Sequence, residues 1–214
     1  MHSKLETELR ALVCIHDQES VPATINILGA LNPTKQSPLS VYMLHLVELF
    51  AKNSIKITNQ NVLDKAPCSV AILVDRGLLK IPRSILESWY EYRIAVLFLG
   101  GSDDHEALAI GGRMAGHPSV HLTVIRLLDN GDARKTRLDN KVMNMFRRSM
   151  ENNYRVTYKE EMVMDGLAIW DEHMELGAVG DVLASVDFMS STTILVVQQH
   201  NNVYTENQMK HGIL

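Results

Sequence analysis

A glycine pair followed by one hydroxyl and two carboxyl side chains is the segment best placed for chemistry: Gly100, Gly101, Ser102, Asp103 and Asp104. It follows an apolar run and opens a helical pattern. Its backbone N–H groups and the positive end of the helix dipole therefore lie where an anion binds. Two carboxylates in the first turn repel phosphate, however, and they suit a helix cap. We expect capping by these side chains, with Gly100, Gly101, Ser102 and Asp103 as weak ligand candidates in the alternative.

Histidine is the second residue type with functional potential, because its charge changes near neutral pH. The chain has nine histidines. Five of them lie on or beside the apolar runs that predict strands: His16, His45, His105, His117 and His121. Such residues are usually neutral core histidines that keep one hydrogen bond. The alternative is a set of pH-sensing residues whose protonation shifts packing between about pH 5 and 8.

The sequence contains no pattern of a nucleophilic or metal-dependent active site. There is no Gly-x-Ser-x-Gly elbow, zinc-protease helix or P-loop. Asp171, Glu172 and Glu175 do not follow the EF-hand spacing, so we expect solvated loop charges rather than a metal site. Cys14 and Cys68 lie in or beside apolar runs and are expected to be reduced, buried thiols. We therefore expect no cofactor, no metal and no enzymatic activity.

Composition and charge describe an ordinary globular chain. Its 214 residues are 46% hydrophobic and 21% charged, which suffices for one large domain or two small ones. A net charge of -4 argues against a general nucleic-acid binder. Arg147 and Arg148 are expected on a solvated helix edge, with a contact to lipid or an acidic partner as the alternative. No apolar run is long enough to cross a bilayer and no signal peptide opens the chain, so we expect a soluble cytosolic chain.

The elements that would position these residues alternate between strands and helices. Strands are predicted over 10–16, 40–49, 69–75, 93–99, 120–127, 155–162 and 192–199. Helices are predicted over 21–31, 59–65, 102–114, 135–152 and 175–188. In the helix over 135–152, a core face is predicted from the spacing of Leu138, Val142, Met145, Phe146 and Met150. This order predicts an α/β fold of parallel βαβ units, with the strands buried on both faces.

The strand–helix–strand pattern is written twice. Residues 10–17 read like residues 93–100, and each is followed by an acid-capped helix, a proline and a second strand. Each half then closes on a further apolar strand. Repetition of this kind indicates two related units. We expect a first half over 1–77, a linker over 78–92, a second half over 93–200 and a flexible tail over 201–214.

A set of longer strings runs in a characteristic order along the chain. They include Cys14-Ile-His-Asp-Gln-Glu-Ser-Val-Pro22, Ile72-Leu-Val-Asp-Arg-Gly77, Phe98-Leu-Gly-Gly-Ser-Asp-Asp104 and Glu175-Leu-Gly-Ala-Val-Gly-Asp181. Together they resemble the cytosolic tail of plant cation/proton exchangers of the CHX family. The resemblance covers most of residues 9–199. It implies a tail of two universal-stress-protein-like (Rossmann-like, mainly parallel) halves attached to an antiporter membrane domain.

Compared with that family pattern, both halves are short. Little sequence separates Glu48 from Asn59, or Met162 from Trp170, where the family has middle segments. Each βαβ unit needs about 30 residues, so we expect each half to be incomplete. The last strand of each half is then expected to move beside the first strand or to pair across halves or subunits, because an unpaired apolar edge invites association.

The resemblance implies the cytosolic regulatory domain of a monovalent cation (potassium)/proton antiporter. Its role would be ion and pH homeostasis, on the cytosolic face of an endomembrane or the plasma membrane. The implied partner is the antiporter's membrane domain, with a homodimer as a further expectation and no nucleic acid. The alternative is a free universal-stress-like module that senses a nucleotide. In nucleotide-binding universal stress proteins, an acidic residue near the end of the first strand contacts the base of the nucleotide. Asp17 has the corresponding position here.

Overall fold

A computed structural model describes residues 8–15, 18–45, 62–63, 66–75, 91–128, 133–162 and 193–200. Its strands are β1 (Leu9–Ile15), β2 (Leu39–His45), β3 (Val70–Val74), β4 (Tyr92–Phe98), β5 (Val120–Leu128), β6 (Val156–Met162) and β7 (Ile194–Gln198). Its longer helices are α1 (Val21–Ala30), α2 (Ser102–Met114) and α3 (Ala133–Ser149). A short 3-10 turn, Gln18–Ser20, precedes α1. The α/β class predicted from the alternation is confirmed.

The second half contains a parallel three-stranded sheet in the order β4-β5-β6. Tyr92 lies opposite Val120, and Leu122 lies opposite Val156. The crossovers are α2 and α3, as expected for consecutive βαβ units. Residue burial alternates along β5, where Val120, Leu122 and Val124 point into the core. This sheet holds the largest cluster of buried residues in the described part of the chain.

The main core forms where β4 and β5 face α2 and α3. Phe98 and Leu108 are fully buried, and Met143 and Phe146 of α3 pack against them. Burying side chains of this size stabilises the fold by about 1.5–3 kcal/mol each. The core therefore fixes the sheet and both helices relative to one another.

The first half contains a smaller unit, in which β1 and β2 are parallel and α1 is the crossover. The same hydrogen bond closes the start of both units. Leu9 N–H donates to the carbonyl of Pro38 at 2.9 Å, and Tyr92 N–H donates to the carbonyl of Ser119 at 2.7 Å. In each case the donor opens the first strand and the acceptor directly precedes the second. This equivalence supports the internal repetition.

The β1–β2 sheet is only partly covered: β1 is half-buried on one face, whereas residues 41–44 of β2 are exposed on both faces. Residues of β1 alternate between half-buried and exposed, and Leu12 is 61% exposed. Tyr42 and Met43 of β2 are exposed as well. The prediction that the strands are buried on both faces is wrong here, since a two-stranded sheet with one crossover helix has cover for at most one face. The prediction of buried thiols is wrong for the same reason at Cys14, and Cys68, which precedes β3, is also exposed.

The two units meet through the C-terminal ends of α1 and α2. Ala30 and Leu31 share a buried cluster with Met114 and Val120. The guanidinium of Arg113 donates to three carbonyl oxygens of the first unit: Leu31 at 3.0 Å, Ser37 at 2.6 Å and Pro38 at 2.9 Å. One side chain of the second half thus binds three backbone carbonyls of the first half and ties the two units together.

The closing strands of the two halves pair with each other. β3 and β7 form an antiparallel two-stranded sheet, with Ile72 opposite Val196. Of the expected alternatives, pairing across the halves is the one observed, whereas the prediction that these strands are parallel is wrong. Parallel strands within one half need a crossover connection between them. β3 and β7 come from different halves and are not joined directly, so either direction of pairing is open to them.

Some predictions fall outside the described residues. They are the helix over 175–188, all but residues 62–63 of the helix over 59–65, and the end of the second strand beyond His45. The boundaries of the halves, the linker and the tail stay predictions, as does the likeness to universal stress proteins.

Candidate functional site

The glycine pair predicted as a ligand loop connects β4 to α2. Gly100 and Gly101 both have a positive φ, +112° and +104°, a conformation that side chains with a Cβ rarely adopt. Gly101 is also the N-cap residue that precedes the helix, a position expected for Ser102. No side chain accepts a capping hydrogen bond from the helix start. The prediction that side chains cap the helix start is therefore wrong in detail. The carboxylates of this segment bind the loop and neighbouring strands instead.

The first of these carboxylates is Asp104, in the first turn of α2. Its Oδ2 accepts the N–H groups of Leu99 at 2.6 Å and Gly100 at 2.7 Å. The side chain thus reaches back over the loop that precedes its own helix. Burial raises the pKa of the Asp104 carboxyl above its ordinary value, and the two backbone donors oppose that rise.

The second carboxylate comes from α3 and belongs to Asp139. Its Oδ1 accepts the N–H of Gly101 at 3.1 Å and lies 2.7 Å from Nε2 of His105. The Asp139 side chain is only 8% exposed. Because a carboxylate only accepts, the imidazole must carry a proton on Nε2. This pair joins the start of α2 to α3 across 34 residues of sequence.

Two further contacts hold the same place. The imidazole of His105 stacks on the ring of Phe98, the last residue of β4, with ring centroids 5.8 Å apart. Oδ1 of Asp103 accepts the N–H of Gln199 at 2.8 Å, directly after β7. The segment is therefore a junction, referred to below as the acid–glycine junction: Gly100, Gly101, Asp103, Asp104, His105 and Asp139. It ties together β4, α2, α3 and β7.

The acid–glycine junction leaves little for an external anion to bind. The N–H groups of Leu99, Gly100 and Gly101 already donate to carboxylates of the chain itself. A phosphate arriving at these three N–H groups meets the negative carboxylates that already occupy them. Within the described ranges no cluster of three metal-ligating side chains occurs. The arrangement can position helices and change their packing, and the ligand role of Gly100, Gly101, Ser102 and Asp103 stays a prediction.

Asp139 is the functional residue that sequence analysis missed. The predicted core face of its helix is confirmed in part, because Phe146 is buried and Val142 and Met150 pack against the same cluster. Leu138 and Met145 are exposed, at 56% and 58%, whereas Met143 and Asp139 are buried. Asp139 lies on the face of the helix turned towards the loop, where it accepts the N–H of Gly101. A single acid in an otherwise basic helix was the available signal.

The three histidines of the second half do not form one group. His105 lies at the N-terminal end of α2 and His117 lies beyond its C-terminal end, about 18 Å away along a helix. Nδ1 of His117 accepts the N–H of Ser119 at 3.1 Å. Burial, aided by the nearby charge of Arg155, lowers the pKa of His117. The His121 imidazole is half-exposed, 3.9 Å from the Glu91 carboxylate.

The histidines of the first half give no site geometry. His16 and Asp17 lie outside the described residues, as does the side chain of His45, whose backbone ends β2. Among the described histidine side chains, His105 makes the short contact with a carboxylate of another helix, at 2.7 Å. The pH-sensing roles of all five histidines stay predictions.

The paired βαβ units and the closed junction define an α/β domain that positions its own elements. Family comparison then gives its class. The model described as "Plant cation/H(+) antiporter, C-terminal domain" matches residues 91–169 and 161–198, and the model "Plant cation/H(+) antiporter domain" matches residues 44–78. The chain belongs to the plant cation/H(+) antiporter family, as its sequence strings indicated.

Individual relatives agree. Cation/H(+) antiporter 15 of Arabidopsis thaliana is 28% identical over 342 aligned residues, covering 92% of this chain and 42% of the relative. Cation/H(+) antiporter 24 is 35% identical over 190 residues, covering 66% of the chain and 22% of the relative. Cation/H(+) antiporter 27 is 37% identical over 177 residues, covering 65% of the chain and 23% of the relative. The chain thus spans less than half the length of these relatives. No solved structure matches it significantly.

The lengths of the matches also bear on the shortened halves. The alignment with antiporter 15 has 342 positions, more than the 214 residues of the whole chain. Many positions of the relative therefore have no counterpart here. The C-terminal family model matches in two pieces that meet at residues 161–169, which is where a middle segment was expected to be missing. Among the described helices, none is both long and apolar enough to cross a membrane.

Proposed function

We propose that this chain is the cytosolic regulatory domain of a monovalent cation/proton antiporter, with potassium as the transported ion. It docks on the antiporter's membrane domain, at an endomembrane or the plasma membrane, and serves ion and pH homeostasis without catalysing a reaction. The observation that carries this proposal is the match of residues 91–198 to the C-terminal domain of the antiporter family.

The acid–glycine junction supports a positioning role. Its carboxylates bind backbone N–H groups, a histidine and the end of β7. A change of charge at the acid–glycine junction therefore affects contacts of β4, α2, α3 and β7. Protonation of an imidazole beside a carboxylate strengthens their attraction. His105 is accordingly the histidine that we propose as the sensor of cytosolic pH, acting through Asp139 on the packing of α2 against α3.

An exchange assay tests the proposal. Arabidopsis antiporter 15 is expressed in yeast lacking its own antiporters, in three forms: intact, truncated before its C-terminal region, and truncated but fused to this chain. Potassium-driven proton movement is recorded in membrane vesicles from about pH 5.5 to 8, the range over which histidine titrates. We expect the fusion to differ from the truncated form in rate or in pH profile.

A matched pair of variants tests whether the acid–glycine junction, and not just the attachment of this chain, changes the exchange rate. Asp139→Asn removes one negative charge at the junction, and Glu151→Gln removes one from an exposed position just after α3. Asp139→Asn should shift the pH profile of the fusion, and Glu151→Gln should leave it unchanged. Identical exchange with and without this chain contradicts the proposal. Micromolar ATP binding by the purified chain would favour the nucleotide-sensing alternative instead.

A further inference from the structure

The outer face of α3 is strongly basic. The helix sequence contains six basic residues and one acid, Asp139, in a chain whose net charge is -4. That acid is buried in the acid–glycine junction. Arg137, Lys141 and Arg148 are exposed, and at 100° per residue they fall within an arc of about 40°. We refer to Arg137, Lys141 and Arg148 as the basic stripe.

Two exposed apolar side chains lie beside the basic stripe. Leu138 is 56% exposed and Met145 is 58% exposed. Both lie away from the side of the helix on which Asp139 and Met143 are buried. The opposite face carries Met143 and Phe146 and packs on the sheet. The outer face thus combines cationic side chains with apolar ones, a composition typical of helices that lie at a membrane interface.

The neighbouring charges do not neutralise the stripe. Glu160 is engaged with Arg147 at 2.7 Å, and Arg147 also lies 5.1 Å from the centre of the Tyr158 ring. Arg147 therefore belongs to a lateral contact between α3 and β6. Among the described side chains, no carboxylate lies within 4 Å of a nitrogen of Arg137, Lys141 or Arg148.

We propose that the basic stripe of α3 is a contact surface for an anionic lipid bilayer. The exposed cationic and apolar side chains share one face of the helix, which suits a flat surface, and the cytoplasmic leaflet carries negative charge. Leu138 and Met145 enter the headgroup region, while the cationic groups meet the phosphates and carboxylates of the lipids. The contact holds the domain flat on the membrane. It is argued from the charges of α3, so it can fail while regulation of exchange holds, and the reverse.

Vesicle sedimentation with the complete 214-residue chain tests this contact. Vesicles are made of phosphatidylcholine alone or with about 30% phosphatidylserine, an anionic lipid of the cytoplasmic leaflet. We expect binding to the anionic vesicles only, weakened by added salt because the charges are exposed. Each basic residue near such a surface contributes about a fivefold factor to partitioning, so Arg137→Gln, Lys141→Gln and Arg148→Gln together should lower it about 100-fold.

The matched control removes three other exposed basic groups: Lys35→Gln, Arg93→Gln and Lys159→Gln. It has the same net charge as the stripe variant and should bind at least tenfold better. Phosphatidylglycerol should replace phosphatidylserine without loss, since no pocket reads the headgroup. Absence of vesicle binding, or equal losses in both triple variants, overturns the proposal. So does binding to a polyglutamate peptide without binding to vesicles, which would assign the stripe to an acidic protein.

Discussion

The contact between Gly100 and Asp139 makes a sharp stability prediction. A Cβ built on Gly100 lies 2.5 Å from Oδ2 of Asp139, whereas one built on Gly101 meets nothing within 4 Å. Both glycines have a positive φ, so either Ala substitution carries backbone strain of about 1–3 kcal/mol. Only Gly100→Ala must also displace the carboxylate, which costs a further 2–4 kcal/mol or so through its lost hydrogen bonds.

A double-mutant cycle isolates that second cost. Asp139→Ala alone leaves the N–H of Gly101 and the imidazole of His105 without their acceptor, for about 2–4 kcal/mol. In Gly100→Ala/Asp139→Ala the clash is relieved and the hydrogen bonds are lost once only. The double variant should therefore be more stable than additivity predicts by about 2–4 kcal/mol. The pair Gly101→Ala and Asp139→Ala should add to within about 0.5 kcal/mol.

The assay is urea unfolding followed by far-ultraviolet circular dichroism, with free energies of unfolding obtained by linear extrapolation. The losses approach the total stability of an ordinary domain, about 5–15 kcal/mol, so the titrations are best run near 15 °C, close to the usual stability maximum. Additivity of Gly100→Ala with Asp139→Ala, or equal costs for Gly100→Ala and Gly101→Ala, would show that Asp139 does not close the loop.

Three further predictions concern pH, the contact between the halves and the thiols. The pKa of His117 is lowered in the fold, so the unfolded chain binds more protons below its ordinary pKa of about 6.5. The free energy of unfolding should fall on acidification through that value, and less so in His117→Gln, as measured by urea titrations from about pH 7.5 to 5.5. Arg113→Met removes three hydrogen bonds to the first unit and should cost about 2–4 kcal/mol, with Arg113→Lys recovering less than half because the guanidinium fork is lost; full recovery by Lys would contradict this. Cys14 and Cys68 are exposed, so both should react with Ellman's reagent in the native chain at rates near those in urea. Slow reaction of Cys14 would contradict the exposed face of β1, and slow reaction of Cys68 would contradict the exposure of the residues before β3.

Local sequence signals predicted most of the elements. The helix from Ser102 to Met114 was placed at its observed bounds, because a glycine pair precedes it and His117-Pro118 follows it. Strand runs were located to within a few residues, since continuous apolar stretches between turn residues have few alternatives. The pairing of β3 with β7 was one of the alternatives that the shortened halves and the cost of an open edge indicated.

Features that depend on distant contacts were beyond local patterns. The rotation of α3 places Asp139 against the N–H of Gly101, 38 residues earlier in the chain. Apolar spacing alone therefore chose Leu138 and Met145 for the core, and both are exposed. Likewise, a run such as Val70–Val74 does not encode the direction of its partner, and the exposed face at Cys14 depends on how few strands share the sheet.

The most direct test of the regulatory role is the rate of potassium–proton exchange, measured as a function of cytosolic pH, by antiporter 15 carrying this chain in place of its own C-terminal region. The account predicts a pH dependence that the truncated antiporter lacks and that Asp139→Asn displaces while Glu151→Gln does not. Superimposable curves for the truncated and fused proteins at every pH would contradict it.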